Sequence, residues 1–393
     1  MSDLPPLRIA MVTSKYPPAI GGSEIATQRL SRTLARRGHS VEVITLARDG
    51  FPEMEQDSKR MRVWRTIRPR AVGPLWGYTY LRQVRAELRR LGPFDVHHCR
   101  QVYLHTIAAI DVALETKAAC VSTICSSGDL LDFKKLHELG FGGMLTRRAT
   151  RFPSAFTALS RQIFEDVESG GWLRSFHGDK ECPIKTIPNG IDTEYFCPDP
   201  ARGDTPPHAV FVGRLVEVKN VSGLLSAFRI AAEGIADARL TIVGDGPLRA
   251  ALEAQVREQG IADRVTFTGA LTDVRPVLLD AGYAVSASHI EGMSNALLEQ
   301  MSCGLGATMP RAGGCEEVLT GFGGEVAGAL YPTGDMDALA REMRRMFQSH
   351  QLRGDCGERA RRYILEHFSL ESVAVRLESY YRELITRARS PRP

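Results

Sequence analysis

At 393 residues, with 50 Lys+Arg against 46 Asp+Glu and a formal net charge of +4, the chain is long enough for two domains that each bury a core, and its scattered charges, with no long basic block, argue against a nucleic-acid partner. The positive excess is confined to the first half, 28 Lys+Arg against 21 Asp+Glu in residues 1–195 but 22 against 25 in residues 196–393, which keeps an anionic ligand or a membrane surface open for that half. Eight cysteines without a Cys-x-x-Cys pair or a Cys/His cluster at zinc spacing argue against a metal site and disulfides, and no apolar run approaches the ~18 residues of a membrane span nor does a leader follow Met1, so a cytoplasmic protein is expected, with at most peripheral contact at the inner membrane face.

Residues 8–13 form a short apolar run, and the Pro- and Gly-rich loop from Tyr16 to Gly22 follows it. From Ser23 to Arg37, Ile25, Leu30 and Leu34 recur at helical spacing, and Gly38 supplies a stop. The pattern predicts further strands at 41–46, 61–67, 94–97, 119–124 and 155–159, with a helix over 79–91. Strands at intervals that suit intervening helices argue for a parallel sheet covered on both faces. Pro188-Asn-Gly-Ile-Asp192 reads as a hinge or turn with Asp192 binding backbone, and the stretch from Cys197 to Pro207, dense in Pro, Asp and Gly, reads as the linker. A second series then begins, with strands at 209–213, 239–243, 265–268 and 284–286, a helix opening near Glu291 and a last helix over 370–388.

The chemistry gathers in this second series. Glu291-Gly-Met-Ser-Asn-Ala-Leu-Leu-Glu299 opens a buried helix, whose first N–H groups have no partner inside it and suit an anion such as a diphosphate. Carboxylates repel phosphate and suit hydroxyls, so the two glutamates beside that helix end point to a ligand with both chemistries, such as a sugar carried on a nucleotide. Gly213-Arg-Leu-Val-Glu-Val-Lys219 places two cations on the loop leaving a strand's carboxyl end, where open α/β sheets bind ligands. Arg214 can fork onto two phosphate oxygens and Lys219 can add a compact charge. Val243-Gly-Asp-Gly-Pro247 is a second strand-to-turn junction open to close approach, and Gly21 with Gly22 forms a similar loop in the first half.

Arg214 with Lys219, Gly244-Asp-Gly246, and Glu291 with Glu299 resemble the retaining nucleotide-sugar glycosyltransferases of family 4. The likeness extends over nearly the whole chain, through Pro188-Asn-Gly-Ile-Asp192, Met301-Ser-Cys-Gly304, Gly313-Gly-Cys-Glu-Glu317 and Tyr331-Pro-Thr-Gly-Asp335. It implies an α/β chain of the GT-B type, two Rossmann-like doubly wound domains facing each other across a cleft: an acceptor-side domain over 1–197, completed by the helix at 370–388, and a donor-binding domain over 198–369. It further implies that Arg214 and Lys219 clamp the diphosphate, that Glu291 bonds the transferred sugar's hydroxyls and that Glu299 holds the ribose. Gly213, Gly244, Gly292, Met293, Ser294, Asn295 and Ala296 would lie around the donor, with phosphate on backbone N–H groups, the base near Leu271, and Gly21 and Gly22 approaching from the other domain.

Many relatives place a His in a Thr-x-His-Gly-like run of the first domain, where this chain reads Thr123-Ile-Cys-Ser-Ser-Gly-Asp129. Cys125 stands at that position, and Ser126, Ser127, Asp129 and, from an earlier strand, His98 are the candidates for contacts to donor sugar or acceptor. The aromatic and arginine-rich segment from Trp64 to Tyr80, read as a loop before the helix at 79–91, can contact an acceptor or a membrane, or pack on the core. Asp335-Met-Asp337 mimics a metal-binding Asp-x-Asp, but its place before Ala338-Leu-Ala340 suits a helix cap. The expected activity is a metal-independent, retaining transfer from a nucleoside-diphosphate sugar, a UDP-sugar by family frequency, to a saccharide, lipid-linked saccharide or natural-product hydroxyl, with no cofactor beyond that co-substrate. A nucleotide-sugar 2-epimerase of the same fold is the alternative, although the first domain lacks a convincing acid/base set. A dinucleotide oxidoreductase is disfavoured because no Gly-x-Gly-x-x-Gly follows the first strand. The oligomeric state is left open.

Overall fold

A computed structural model of the chain describes residues 5–18, 21–70, 74–126, 132, 138, 140–141, 155–171, 183–200, 206–291, 293–320 and 327–390. The chain forms two compact units, Met1–Gly190 with Leu370–Pro393, and Ile191–Ser369. This division falls after Gly190, earlier than the boundary at 197/198 expected from the Pro-rich stretch. The reason is visible at Phe196, which is buried in the second unit's core and whose carbonyl accepts from Ser302 Oγ at 2.6 Å and from Arg361 at 2.8 Å. The segment after Ile191 is therefore tied down before the prolines begin. Asp192 binds backbone as expected, accepting from the Tyr195 N–H at 3.1 Å.

The first unit contains β1 (Arg8–Val12), α1 (Gly22–Arg36), β2 (Ser40–Leu46), β3 (Met54–Ser58), β4 (Met61–Ile67), α2 (Pro74–Leu91), β5 (Val96–Arg100), α3 (Leu104–Thr116), β6 (Ala119–Ile124), β7 (Ala155–Ala158), α4 (Arg161–Ser169) and β8 (Ile184–Thr186). Its sheet runs β3-β4-β2-β1-β5-β6-β7-β8, parallel except for the β3–β4 edge. Strands β1, β2, β6 and β7 are buried along nearly their whole length, as strands covered on both faces must be. The exception at the edge, β3, is polar and mostly exposed, so it has no apolar pattern to betray it. Strand β5 runs through Arg100 and not merely to His97, because His97, His98 and Arg100 are buried with hydrogen-bond partners and interrupt the apolar signal.

Both ends of the segment from Trp64 to Tyr80 are regular structure. Trp64 to Ile67 belong to β4, and α2 already begins at Pro74, where a proline costs a helix nothing. Gly77 hides this start from sequence: a Cβ there would lie 2.6 Å from the Phe141 ring, so the small residue serves close packing within a helix. Trp76 stacks on buried Tyr80, with ring centroids 5.2 Å apart, and Trp64 Nε1 donates to Glu42 at 2.7 Å.

The second unit contains β9 (His208–Val212), α5 (Val221–Ala231), β10 (Arg239–Val243), α6 (Arg249–Glu258), β11 (Val265–Gly269), α7 (Arg275–Asp280), β12 (Tyr283–Val285), α8 (Asn295–Ser302), β13 (Gly306–Pro310), α9 (Gly314–Thr320), β14 (Gly328–Tyr331), α10 (Met336–Gln348) and α11 (His350–His367). Its sheet runs β11-β10-β9-β12-β13-β14 and every neighbouring pair is parallel. Strands β13 and β14 are short and carry Gly, Ala and Pro, which left them without a strand signature. Asp335 caps α10, its Oδ1 accepting the Ala338 N–H at 2.8 Å, with Asp337 in the first turn.

The last helix, α12 (Leu370–Arg389), returns to the first unit. It buries Val373, Ala374, Leu377, Tyr380, Tyr381 and Leu384 in that unit's core, and Glu378 pairs with Arg37 at 2.6 Å and His39 at 3.0 Å. Among the described residues no helix is long and apolar enough to cross a membrane.

Three buried histidines make the first unit acid-sensitive. Burial pushes His97 and His105 down to about 4 from 6.5, and His98 well below 6.5. As pH falls below 6.5 the unfolded chain takes up protons that the folded unit refuses, so stability declines from there towards about 4. Each such histidine costs about 1.4 kcal/mol per pH unit within its window. The thermal midpoint at pH 5 is expected to lie several degrees below that at pH 7.5, and an unchanged midpoint would contradict this packing.

Candidate functional site

In the second unit the chain builds outward from β9 to β10 and β11, then returns to the other side of β9 with β12. The strand order therefore switches between β9 and β12, and at such a switch the two loops leaving the carboxyl ends diverge and open a crevice. The loop after β9 carries Gly213, Arg214 and, at the end of a 3-10 turn over Glu217–Lys219, Lys219. The loop after β12 carries Ser286, Ser288 and Glu291 and leads into α8. The His289 N–H donates to the Val218 carbonyl at 2.9 Å, which fastens one loop to the other.

This places Lys219 and Glu291 in direct contact. Lys219 Nζ forms an ion pair with Glu291 Oε1, and the side chains are 19% and 12% exposed. The same Oε1 accepts from Ser288 Oγ at 3.0 Å, Ser288 Oγ bonds Ser286 Oγ at 3.0 Å, and Tyr331 OH anchors the Ser286 carbonyl at 2.8 Å. A chain of buried hydroxyls thus fixes the carboxylate. Ser286 and Ser288 were not read from the sequence as part of the site. Their signal was two serines ending an apolar strand, three residues and more before a glutamate. Arg214 is exposed and, among the described residues, has no ion-pair partner.

Two neighbouring turns narrow the floor. Gly244 has φ +138°, and a Cβ on it would lie 1.9 Å from the Gly213 carbonyl oxygen, so the turns after β9 and β10 meet through two glycines. The Gly244 N–H donates to the Gly269 carbonyl at 2.9 Å, bringing in the end of β11, two residues before half-exposed Leu271. At α8, Ser294 is the N-cap and its Oγ accepts the Leu297 N–H at 3.3 Å. Met293, Ser294, Asn295 and Ala296 are only partly buried at this helix start, and Glu299 lies one turn further on, also partly buried. Gly292 lies outside the described residues.

The first unit has its own switch, between β1 and β5, and a cavity of about 270 Å³ lies there. It is lined by Ser14 and Lys15 after β1, by Gln101 and Tyr103 after β5, and by Trp76 and Asp132. Gln101 has φ +76°, an uncommon conformation for a residue with a side chain. Asp132 is 1% exposed and its carboxylate gathers both flanking loops: it accepts from the N–H groups of Cys125 at 3.0 Å and Val102 at 3.4 Å, from Gln101 Nε2 at 3.3 Å and from Ser126 Oγ at 2.5 Å. Burial raises its pKa above the ordinary carboxylate value against the pull of those donors. The sequence offered no signal for it, since one acid in an unpatterned stretch stands out only when the donors are seen.

Gly21 and Gly22 start α1, Gly21 with extended backbone at the N-cap. Burial pushes the Cys125 thiol up to about 12, so it stays neutral at physiological pH. His98 faces the core. It is fully buried, with Nδ1 bonded to Tyr381 OH at 2.5 Å and Nε2 to Thr123 Oγ1 at 2.7 Å, and it joins α12 to the sheet. Its polar atoms are spent on the core, which a lone His at a strand end does not reveal. Ser127 and Asp129 lie outside the described residues.

A family model described as "Glycosyltransferase Family 4" matches residues 20–195, and one described as "Glycosyl transferases group 1" matches residues 206–349. The chain is 25% identical over 386 residues to an N-acetyl-alpha-D-glucosaminyl L-malate synthase from Bacillus anthracis, covering 94% of this chain and 95% of that protein. It is 24% identical over 402 residues to a GDP-mannose-dependent alpha-(1-6)-phosphatidylinositol monomannoside mannosyltransferase from Mycobacterium tuberculosis, covering 95% and 98% of the two chains. Its fold matches that of a sucrose-phosphate synthase from Thermosynechococcus elongatus with a TM-score of 0.77 at 21% identity, over 97% of this chain and 100% of the other. With both halves matched in order, and with two parallel-sheet units built as that family builds them, the chain belongs to the family-4 glycosyltransferases of the GT-B type.

Proposed function

We propose that the protein transfers a sugar from a nucleoside-diphosphate sugar to an acceptor hydroxyl with retention at the anomeric carbon. The observation that carries this reading is the Lys219–Glu291 pair at the β9/β12 switch, a cation and a carboxylate held together beside the start of α8. One suits a diphosphate and the other suits sugar hydroxyls. In this reading Arg214, Lys219 and the N–H groups from Met293 to Ala296 receive the charge that develops on the leaving diphosphate. Glu291 bonds the transferred sugar, Glu299 holds the ribose, and the base lies along the backbone near Leu271. The bond from the anomeric carbon to the diphosphate oxygen breaks and a bond to the acceptor oxygen forms on the same face. The acceptor's proton passes to the departing phosphate oxygen. No strong protein base is needed, in keeping with Cys125 being held as a neutral thiol. Arg214, the helix end and Lys219, whose charge is shared with Glu291, are proposed to take the place of a divalent cation.

The acceptor is proposed to enter the first unit's cavity, where Trp76 and Tyr103 line the wall with aromatic surface and Lys15 adds a charge. The two relatives are named for a hydroxy acid and for a mannosylated phosphatidylinositol, and both belong in an acceptor panel. A UDP-sugar is the first donor to test, by its frequency in the family, and GDP-mannose joins it because one relative is named for it. The decisive incubation gives the protein UDP-, GDP- and ADP-sugars with no acceptor, in EDTA, and follows the donor by NMR. Slow hydrolysis with retained configuration supports the transferase. An isomerised donor points to a 2-epimerase, and a strict requirement for added metal overturns the cation-independent mechanism.

A further inference from the structure

Lys219 and Glu291 are each other's counter-ion, and the carboxylate is tethered on a second side. Its Oε1 is held by Ser288 Oγ, Ser288 is fully buried and bonded to Ser286, and the Glu291 carbonyl takes the Gly314 N–H at 3.3 Å. With 19% and 12% exposure the pair is only partly open to solvent, so its field is less screened than that of an open surface pair. An anion that approaches the Lys219 ammonium therefore comes near the Glu291 negative charge as well.

We propose that Glu291 discriminates between the sugar-bearing donor and the spent nucleoside diphosphate, favouring the first and expelling the second. The inference rests on the donor-site reading above and adds a role in product release. In the donor, the terminal phosphate is esterified by the sugar, which presents hydroxyls to the carboxylate. In the product that ester is gone and the freed phosphate gains a second ionisation near pH ~6, so about one more negative charge appears on the side where the sugar stood. The same carboxylate thus attracts one ligand through hydrogen bonds and repels the other through charge. Departure of the sugar is what turns the attraction into repulsion.

Glu291→Gln separates the two effects, because it removes the charge while keeping the size and a partner for Ser288. UDP, GDP and ADP are titrated calorimetrically against the full chain, and KM is measured for the sugar of whichever nucleotide binds. The variant is expected to bind the free diphosphate about three- to tenfold more tightly, while KM for the nucleotide sugar rises. The gain is expected to shrink as pH falls from 8 through about 6, where the product takes up its proton. A passive structural role would give no such pH dependence. Glu291→Asp keeps the charge and is expected to leave diphosphate affinity within about twofold of wild type, which keeps the idea testable if the glutamine variant folds poorly. Weaker diphosphate binding in Glu291→Gln, or tightening that ignores pH, overturns the inference and leaves the donor-site reading intact. A wild-type chain that binds none of the three diphosphates overturns both.

Discussion

Replacing Lys219 with alanine is expected to lower kcat/KM for transfer by about 10²-fold or more, the usual scale for losing one fixed group that stabilises a leaving charge. Two losses combine. The diphosphate loses a cation at the β9/β12 switch, and Glu291, only 12% exposed, is left without its counter-ion beside the ligand's phosphates. Lys219→Arg restores charge but not shape, since a planar fork cannot take the place of a compact ammonium against one carboxylate oxygen, so partial recovery is expected. Arg214→Ala is expected to act in the same direction. Initial rates with a nucleotide sugar, read beside circular dichroism to confirm folding, check both. Near-normal turnover in the two alanine variants would remove the diphosphate clamp from the mechanism.

The second large effect is expected at a residue that acts through the position of Glu291. Gly313 has φ +53°, and a Cβ there would sit 1.7 Å from the Glu291 carbonyl oxygen. That neighbour is backbone, so no rotamer relieves the clash and the loop carrying Glu291 has to move. Left-handed strain alone costs about 1–3 kcal/mol for a residue with a side chain. In a unit of this size each kcal/mol is worth about 2–4 °C, so Gly313→Ala is expected to lower the midpoint by at least about 5 °C. Transfer is expected to fall by tenfold or more, roughly, since the carboxylate is displaced. Gly334→Ala is the control. Gly334 has φ +86° with nothing within 4 Å of its missing Cβ, so it should lose stability through strain alone and keep its activity. Equal activity losses in the two variants would deny that Gly313 acts through Glu291.

Much of the fold was written in short apolar runs, because a parallel strand buried on both faces has no polar alternation to obscure it. Where burial was one-sided or polar, the pattern failed. Strand β3 is an exposed edge, β5 carries histidines and an arginine satisfied inside the core, and Gly77 masked the first turns of α2. The Pro-rich stretch misled in the opposite way, since composition marks where a chain turns and not where contacts divide. In the second unit the sequence drew attention to Lys219 and Glu291, which lie 72 positions apart and meet as an ion pair. What it could not convey was that they neutralise each other, or that Ser286 and Ser288 fix the carboxylate. In the first unit Asp132 is informative only through its four donors, and His98 only through its two partners. Hydrogen-bond satisfaction is a property of the folded arrangement, so neither residue's role had a local signature.

The central claim is that a nucleoside diphosphate binds across the β9 and β12 loops, and a thermal-shift titration of the full chain tests it most directly. UDP, GDP and ADP are compared for wild type, Lys219→Ala and a solvent-exposed variant in the first unit, Arg161→Ala. A ligand present at a hundred times its Kd adds about 2.7 kcal/mol to the folded state, so one of the three should raise the wild-type midpoint by several degrees. That shift is predicted to survive in Arg161→Ala and to be lost in Lys219→Ala. A wild-type midpoint unmoved by all three diphosphates, or an equal shift in Lys219→Ala, would contradict the account.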